Sequence, residues 1–270
     1  MLASRVHSPT NSRMPLDPDL QRALERAPVA GANVLVDAHF EDPSEAVAFI
    51  TLLRHVVGPE GTIVMPAFTH ALTLSDESPE PISFHSDLAV NRDLGAVPES
   101  FRRQAGTLRS GHPTNSFVAC GPRGHDVLST NRDNNPLGPV KKLNLMNGLS
   151  LRVRHPLSRS TPIHLAEAQT LAGLRYRGTA KRINVAGFEE RVVVEHVATC
   201  TSGFDNIEDI VSSTAETEFH SGCDGLHLVP LREIIRAIAA AVTASPRSII
   251  CGRDGCRTCA VRVSLMNRLR

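Results

Sequence analysis

Tryptophan is absent from this 270-residue chain and tyrosine occurs once. Their scarcity excludes the aromatic platforms on which single-stranded nucleic acids stack. Charge of one sign is missing too: 29 Lys and Arg face 28 Asp and Glu, for a net charge of +1. Such a balance gives no field that would draw nucleic acid or a membrane surface. No apolar run approaches the roughly 20 residues of a membrane span. Met1 to Arg13 lacks the apolar stretch of a secretion signal, so a cytoplasmic location is expected. That segment reads as a disordered tail, with Met1 or Met14 as the start. Disulfides are not expected either. The six cysteines (Cys120, Cys200, Cys223, Cys251, Cys256 and Cys259) are few and unevenly spread, and thiols stay reduced in such a compartment.

What is present is enough apolar sequence for one good core. Residues 1–30 read as a tail and lead-in helix, 31–250 as a single domain, and 251–270 as a Cys-containing tail. Asn33 to Val36 is a short β-branched strand. Asp42 can cap a helix, Pro43 suits its first turn, and Glu45 would complete a capping box. Val47, Phe49, Ile50, Leu53, Val56 and Val57 follow at helical spacing, until Gly58-Pro59 stops the run. Gly61 to Pro66 is the next strand, so a βαβ unit with a parallel pair is predicted. Residues 70–93 are polar and weakly periodic, the pattern of a long loop. Further on, the patterns predict helices at Pro98–Arg103, Gly121–Ser129, Pro162–Leu171, Phe204–Ser212 and Pro230–Thr243. Strands are predicted at Ser116–Cys120 and Gly148–Val153, and a hairpin joins Arg182–Ala186 to Glu190–Ala198.

Two stretches carry chemistry. Ile163-His164-Leu165-Ala166-Glu167 puts an imidazole and a carboxylate on one helical face, a kit for taking a proton from a nucleophile. Arg109 to Phe117 is a polar loop around His112, stiffened by Pro113, with Ser110, Thr114, Asn115 and Ser116 as donors. Glu99 opens a short helix, where it either favours the helix N-terminus or grips an amine. Cys251-x4-Cys256-x2-Cys259 could hold zinc with His227 or Cys223 as a fourth ligand. Free thiols in a polar tail are the plainer reading, so no metal is expected.

Several segments then match one family in order. Gly61 to Thr69 comes first, followed by Phe84, Gly95, Pro98-Glu99 and Phe101-Arg102-Arg103. Gly106 to Ser110, His112-Pro113, Ser116 to Ala119, Pro136-Leu137-Gly138-Pro139, Lys142-Leu143 and Thr161 with His164 to Glu167 complete the set. Together they resemble the aminoglycoside 3-N-acetyltransferases, the antibiotic N-acetyltransferases. The resemblance implies a three-layer αβα fold with a central mixed sheet, distinct from the common N-acetyltransferase fold. It implies transfer of acetyl from acetyl-CoA to an amine, taken here as the 3-amino group of an aminoglycoside, as in antibiotic resistance. Small-molecule amine and CoA would be the partners, with neither nucleic acid nor membrane, and a homodimer is compatible.

Carried over by position, His164 matches the catalytic base and Glu167 its partner. Ala38, His39, Phe40, Thr69, Ser110 and His112 would contact the cofactor, with Thr69 or Ser110 donating to the oxyanion. Glu99, Ser116, Arg154 and Ser158 would line the acceptor. Two stretches depart from the family pattern. The turn after the first strand is Asp37-Ala38-His39-Phe40 followed by Asp42-Pro43-Ser44, without the usual hydroxyls and glycines. Arg152 to Arg159 carries three arginines where the family is neutral to acidic. These would face CoA phosphates or solvent, or else select an anionic amine of secondary metabolism. A member that keeps the fold but no longer binds CoA is the remaining alternative.

Overall fold

Asp42 caps the first long helix, as its place before Pro43 dictates. In a computed structural model describing residues 16–69, 72–73, 82–171, 173–212, 219–220 and 225–268, its carboxylate accepts from the Ser44 and Glu45 backbone N–H groups at 2.6 and 3.2 Å. The expected tail and Cys223 lie outside these residues. Helix α1 (Pro18–Arg26) leads in to β1 (Asn33–Ala38). Helix α2 (Pro43–Val57) ends at Gly58, and β2 (Thr62–Pro66) pairs in parallel with β1. The predicted βαβ unit is therefore present. Glu45 does something else than close a capping box: its carboxylate takes Arg154 at 2.8 Å.

The remaining elements are β3 (Leu72–Thr73), α3 (Ala96–Arg102), β4 (Leu108–Arg109), β5 (Phe117–Cys120), α4 (Gly124–Leu128), α5 (Gly138–Leu145), β6 (Leu149–Val153), α6 (Thr161–Thr170), β7 (Tyr176–Ile183), β8 (Glu189–His196), α7 (Asp205–Ser212), β9 (Phe219–His220), β10 (Leu226–Pro230), α8 (Leu231–Ala244) and α9 (Arg257–Arg268). The main sheet runs β4-β5-β2-β1-β6-β10-β9. Its centre, β2-β1-β6, is parallel, while β5 and β10 flank it antiparallel. The sheet is therefore mixed, as expected.

Alternation along β1 divides the core. Val34 and Val36 point to one face and pack with Phe49, Ile50 and Leu53 of α2. Leu35 points to the other and joins Val140 and Leu143 of α5, Ile163 of α6 and Ile234 of α8. Side chains two apart on a strand share a face, so two helical layers sandwich the sheet. Helix α6 is buried from Thr161 to Glu167, which is why its sequence shows no polar face. Gly138 is required by close approach: a Cβ there would lie 2.0 Å from the Thr130 carbonyl oxygen.

A second sheet, β3-β7-β8, corrects two expectations. The hairpin is longer than predicted, pairing Tyr176 with His196 through to Ile183 with Glu189. Its turn is fastened by Asn184, whose Oδ1 accepts from the Ala186 and Phe188 N–H groups, both at 3.0 Å. The segment expected as a plain loop also contributes: Leu72 and Thr73 pair with β7, and Phe84 bridges to Arg182. Residues 70–71 and 74–81 of that segment lie outside the described ones. Among the described residues no helix is long and apolar enough to cross a membrane.

Candidate active site

Asp37 sits at the carboxyl end of β1, buried at 3% exposure. It accepts from the Thr161 hydroxyl at 2.6 Å and from the Thr161 backbone N–H at 3.1 Å. A strand-end carboxylate thus fixes the N-terminus of α6, where the free N–H groups and the dipole favour a negative charge. Burial pushes the Asp37 pKa up, against the pull of His155 and Thr161. One helical turn beyond Thr161 stands His164.

His164 is 6% exposed and its Nδ1 is buried without a hydrogen-bond partner among the described residues. Its ring meets Phe204 edge-on, with centroids 5.6 Å apart. Burial, helped by the Arg262 charge, lowers its pKa from 6.5 to about 3. The imidazole is therefore neutral and has a free lone pair or N–H at neutral pH. Glu167 does not orient it. That carboxylate accepts from Arg262 Nε at 2.6 Å and from the Tyr176 hydroxyl at 3.0 Å. Arg262 also donates to the Ile249 and Cys200 carbonyls at 2.8 and 3.2 Å, and lies 4.7 Å from the Phe204 ring centroid. Burial opposes the guanidinium's charge, but Glu167 overrides it and pushes the Arg262 pKa up; burial likewise raises Glu167. Arg262 and Tyr176 had no signal in the sequence: each is a single residue, and Arg262 lies 95 positions beyond its partner.

His164 and Glu167 line a cavity of about 160 Å3 with Asn135, Tyr176, Glu195 and His196. A larger groove of about 890 Å3 opens beside the end of β1, between His39, Phe40, Arg92, Glu99, Arg103 and Arg159. Gly95 permits the approach of its two walls, because a Cβ there would meet His39 Nδ1 at 2.9 Å.

The other expected contacts separate sharply. His39 and Phe40 line the groove, and Ala38 is buried at the strand end. The hydroxyl set is turned onto the protein itself. Thr69 donates to the Pro113 carbonyl, Ser116 to the Ala67 carbonyl at 2.6 Å, and Ser110 to Asn131 Oδ1 at 2.6 Å. All three are buried, and buried hydroxyls settle on nearby backbone acceptors. Ser158 is buried at 1%, with its backbone N–H toward Glu208. Glu99 lines the groove but is already paired. Burial pushes its pKa up, yet hydrogen bonds from Arg102, the Val90 N–H and Arg103 hold it down at about 2. Arg154 leaves β6 with φ 50 and lays its guanidinium 5.0 Å from the Phe40 ring centroid. It therefore stands beside the groove.

His112 is fully buried, which removes it from any ligand surface. Its Nδ1 accepts from the Asn115 N–H at 3.1 Å, so Nε2 carries the proton and donates to the Glu195 carbonyl at 3.0 Å. The loop is thereby tied to β8. Burial lowers the His112 pKa from 6.5 to about 4. A buried neutral histidine takes up a proton when the chain unfolds. Its stabilisation is complete above pH 6.5 and is lost as pH falls toward 4. His164 acts in the same direction, so about 2 kcal/mol per histidine should disappear by pH 5. Urea midpoints at pH 7 and pH 5 check this, and His112→Gln should flatten part of the slope. A midpoint unchanged between the two values would rule out buried neutral imidazoles.

Fold and site define a three-layer α/β protein with an open groove at the carboxyl end of a parallel strand, the place where open α/β sheets bind small molecules. The family model for aminoglycoside 3-N-acetyltransferase matches residues 40–243, and the chain belongs to that family. It is 31% identical over 193 residues to aminoglycoside N(3)-acetyltransferase VIII of Streptomyces fradiae, covering 62% of this chain and 66% of that one. The chain thus spans between about half and two thirds of the length of the curated relatives it matches. Among solved structures, the apoenzyme of aminoglycoside acetyltransferase AAC(3)-IVa superposes with TM-score 0.71 at 22% identity, covering 94% of this chain and 99% of that one. The AAC-IIIb binary complex with CoASH gives TM-score 0.71 at 22% identity over 83% and 95%. The expected fold, distinct from the common N-acetyltransferase fold, is the one observed.

Proposed function

We propose that the chain transfers the acetyl group of acetyl-CoA to an amine, the 3-amino group of an aminoglycoside, with His164 as the base. The observation that carries this reading is the buried, neutral His164 without a partner at Nδ1, lining a cavity. Family membership supports the reaction, and the CoASH complex of AAC-IIIb supports the donor. The amine nitrogen attacks the thioester carbonyl, its N–H becomes acidic as the C–N bond forms, and His164 takes that proton. The imidazolium then returns it to the departing sulfur. A base with so low a pKa cannot strip a free ammonium efficiently, so the amine enters deprotonated.

Donor phosphates have few backbone groups to use here, because Asp42 already occupies the first N–H groups of α2. Arg92 and Arg159 in the groove wall would supply the charge instead, with Arg154 and Arg103, paired to Glu45 and Glu99, beside them. On this reading Arg154 and Arg159 serve the donor, while Arg152 is buried within the protein, and an anionic acceptor is not required. A panel of aminoglycosides and anionic amines, assayed by thiol release, tests the acceptor. Turnover confined to anionic amines would overturn it. The donor is tested by Arg154→Ala with Arg159→Ala, which should raise KM for acetyl-CoA about tenfold, the loss of one charge-assisted hydrogen bond. A truncated acetyl thioester without phosphates should be used equally well by both proteins.

A further inference from the structure

Three thiols close together near the C-terminal end and a fourth, Cys200, some fifty residues earlier meet at one point. The sulfur atoms of Cys200, Cys251, Cys256 and Cys259 all lie within 4.8 Å of one another. A tetrahedral zinc site with Zn–S of about 2.3 Å places its sulfurs about 3.8 Å apart. Cys251 and Cys259 are 3.4 Å apart, so only small side-chain movements separate the cluster from that geometry. The fourth thiol is Cys200, in the segment following β8. His227 instead sits on β10 in the main sheet, paired opposite His220.

The backbone is shaped to present the thiols. Gly252 and Gly255 adopt φ of 69 and 70, with open space around each. These left-handed turns bring Cys251 and Cys256 to one side, and Cys259 follows in the first turn of α9. The sulfurs also have surrounding donors: the Cys251 N–H lies 3.4 Å from Cys259 Sγ and Arg262 Nη1 lies 3.7 Å from it. Four thiolates around a divalent ion leave a net charge of −2. Donors of this kind stabilise such a charge and fix the ligands.

We propose that these four cysteines bind one zinc ion as a closed structural site. Through it, α9 is fastened to the segment after β8, and the clamp holds Arg262 against Glu167. The site rests on the sulfur geometry alone and stands whether or not the chain transfers acetyl groups.

The test is metal content of the full chain purified under reducing conditions and reconstituted with zinc. One zinc per chain is expected, released when a mercurial blocks the thiols. Cobalt in its place should give intense sulfur-to-metal charge transfer and the visible bands of a tetrahedral thiolate site. Cys200→Ser and Cys259→Ser should lose the metal, while Cys120→Ser, outside the cluster, should keep it. Should the cluster variants fail to fold, the cobalt spectrum of the unaltered protein decides. Absence of stoichiometric metal and of the cobalt bands overturns the proposal. So does a mass deficit showing that the thiols pair as disulfides under the reducing conditions used.

Discussion

His164→Ala should lower kcat/KM for amine acetylation by about a hundredfold to ten-thousandfold, the usual worth of a positioned base. The fold should survive. The Nδ1 atom of His164 is buried without a partner among the described residues, and such an atom costs about 1–3 kcal/mol. His164→Leu should therefore unfold at an equal or higher urea concentration while being equally inactive. That opposition separates a catalytic histidine from a core one, whose replacement would cost stability and leave turnover intact. The pH profile adds a second mark. Because the His164 pKa is near 3, the imidazole stays neutral throughout the accessible range. The acid limb of kcat/KM should follow the acceptor amine and shift when the acceptor is changed. An acid limb fixed near pH 6.5 for every acceptor would show that His164 titrates normally.

Arg262→Leu should be the most destabilising single change at the site, by about 3–5 kcal/mol, because it strands the Glu167 carboxylate in the core. Arg262 is fully buried and Glu167 is 1% exposed, so water cannot take over the lost partner. Glu167→Gln combined with Arg262→Leu should recover much of the loss, since the amide carries no charge to compensate. Equilibrium urea unfolding of the two variants measures this. A loss below about 1 kcal/mol in Arg262→Leu would mean that Glu167 is protonated or reached by solvent.

Much of the architecture was legible from residues alone. The β1-α2-β2 unit follows from β-branched runs, a cap at Asp42 and a stop at Gly58. Helix α6 could be placed from Pro162, but its burial could not, because a helix covered on all sides loses the periodicity that shows its face. The short strand β3 and the Phe84 bridge inside the segment 70–93, and helices α5 and α9, escaped notice. Their apolar positions are few and their partners distant. At the site, residue types singled out His164, and the structure surrounds it with groups that no local pattern announced. Serine and threonine hydroxyls can face a ligand or bond to backbone, and only three-dimensional proximity decides. Thr69 and Ser116 took the second course, and Ser110 donates to the Asn131 side chain. Asp37 stood out only as part of a departure from the family's turn. Its partner Thr161 lies 124 positions away, beyond the reach of any local pattern.

The single tyrosine of the chain acquires a use from where it lies. Tyr176 places its hydroxyl on Glu167, and no tryptophan is present to mask it. At wavelengths beyond the phenylalanine bands, near-ultraviolet absorption and emission of the whole protein therefore originate from one ring, in contact with the carboxylate that Arg262 holds. Ordinary optical spectroscopy of this protein is site-resolved without a label, and titration, metal loss or acceptor binding can each be followed at the same hydroxyl.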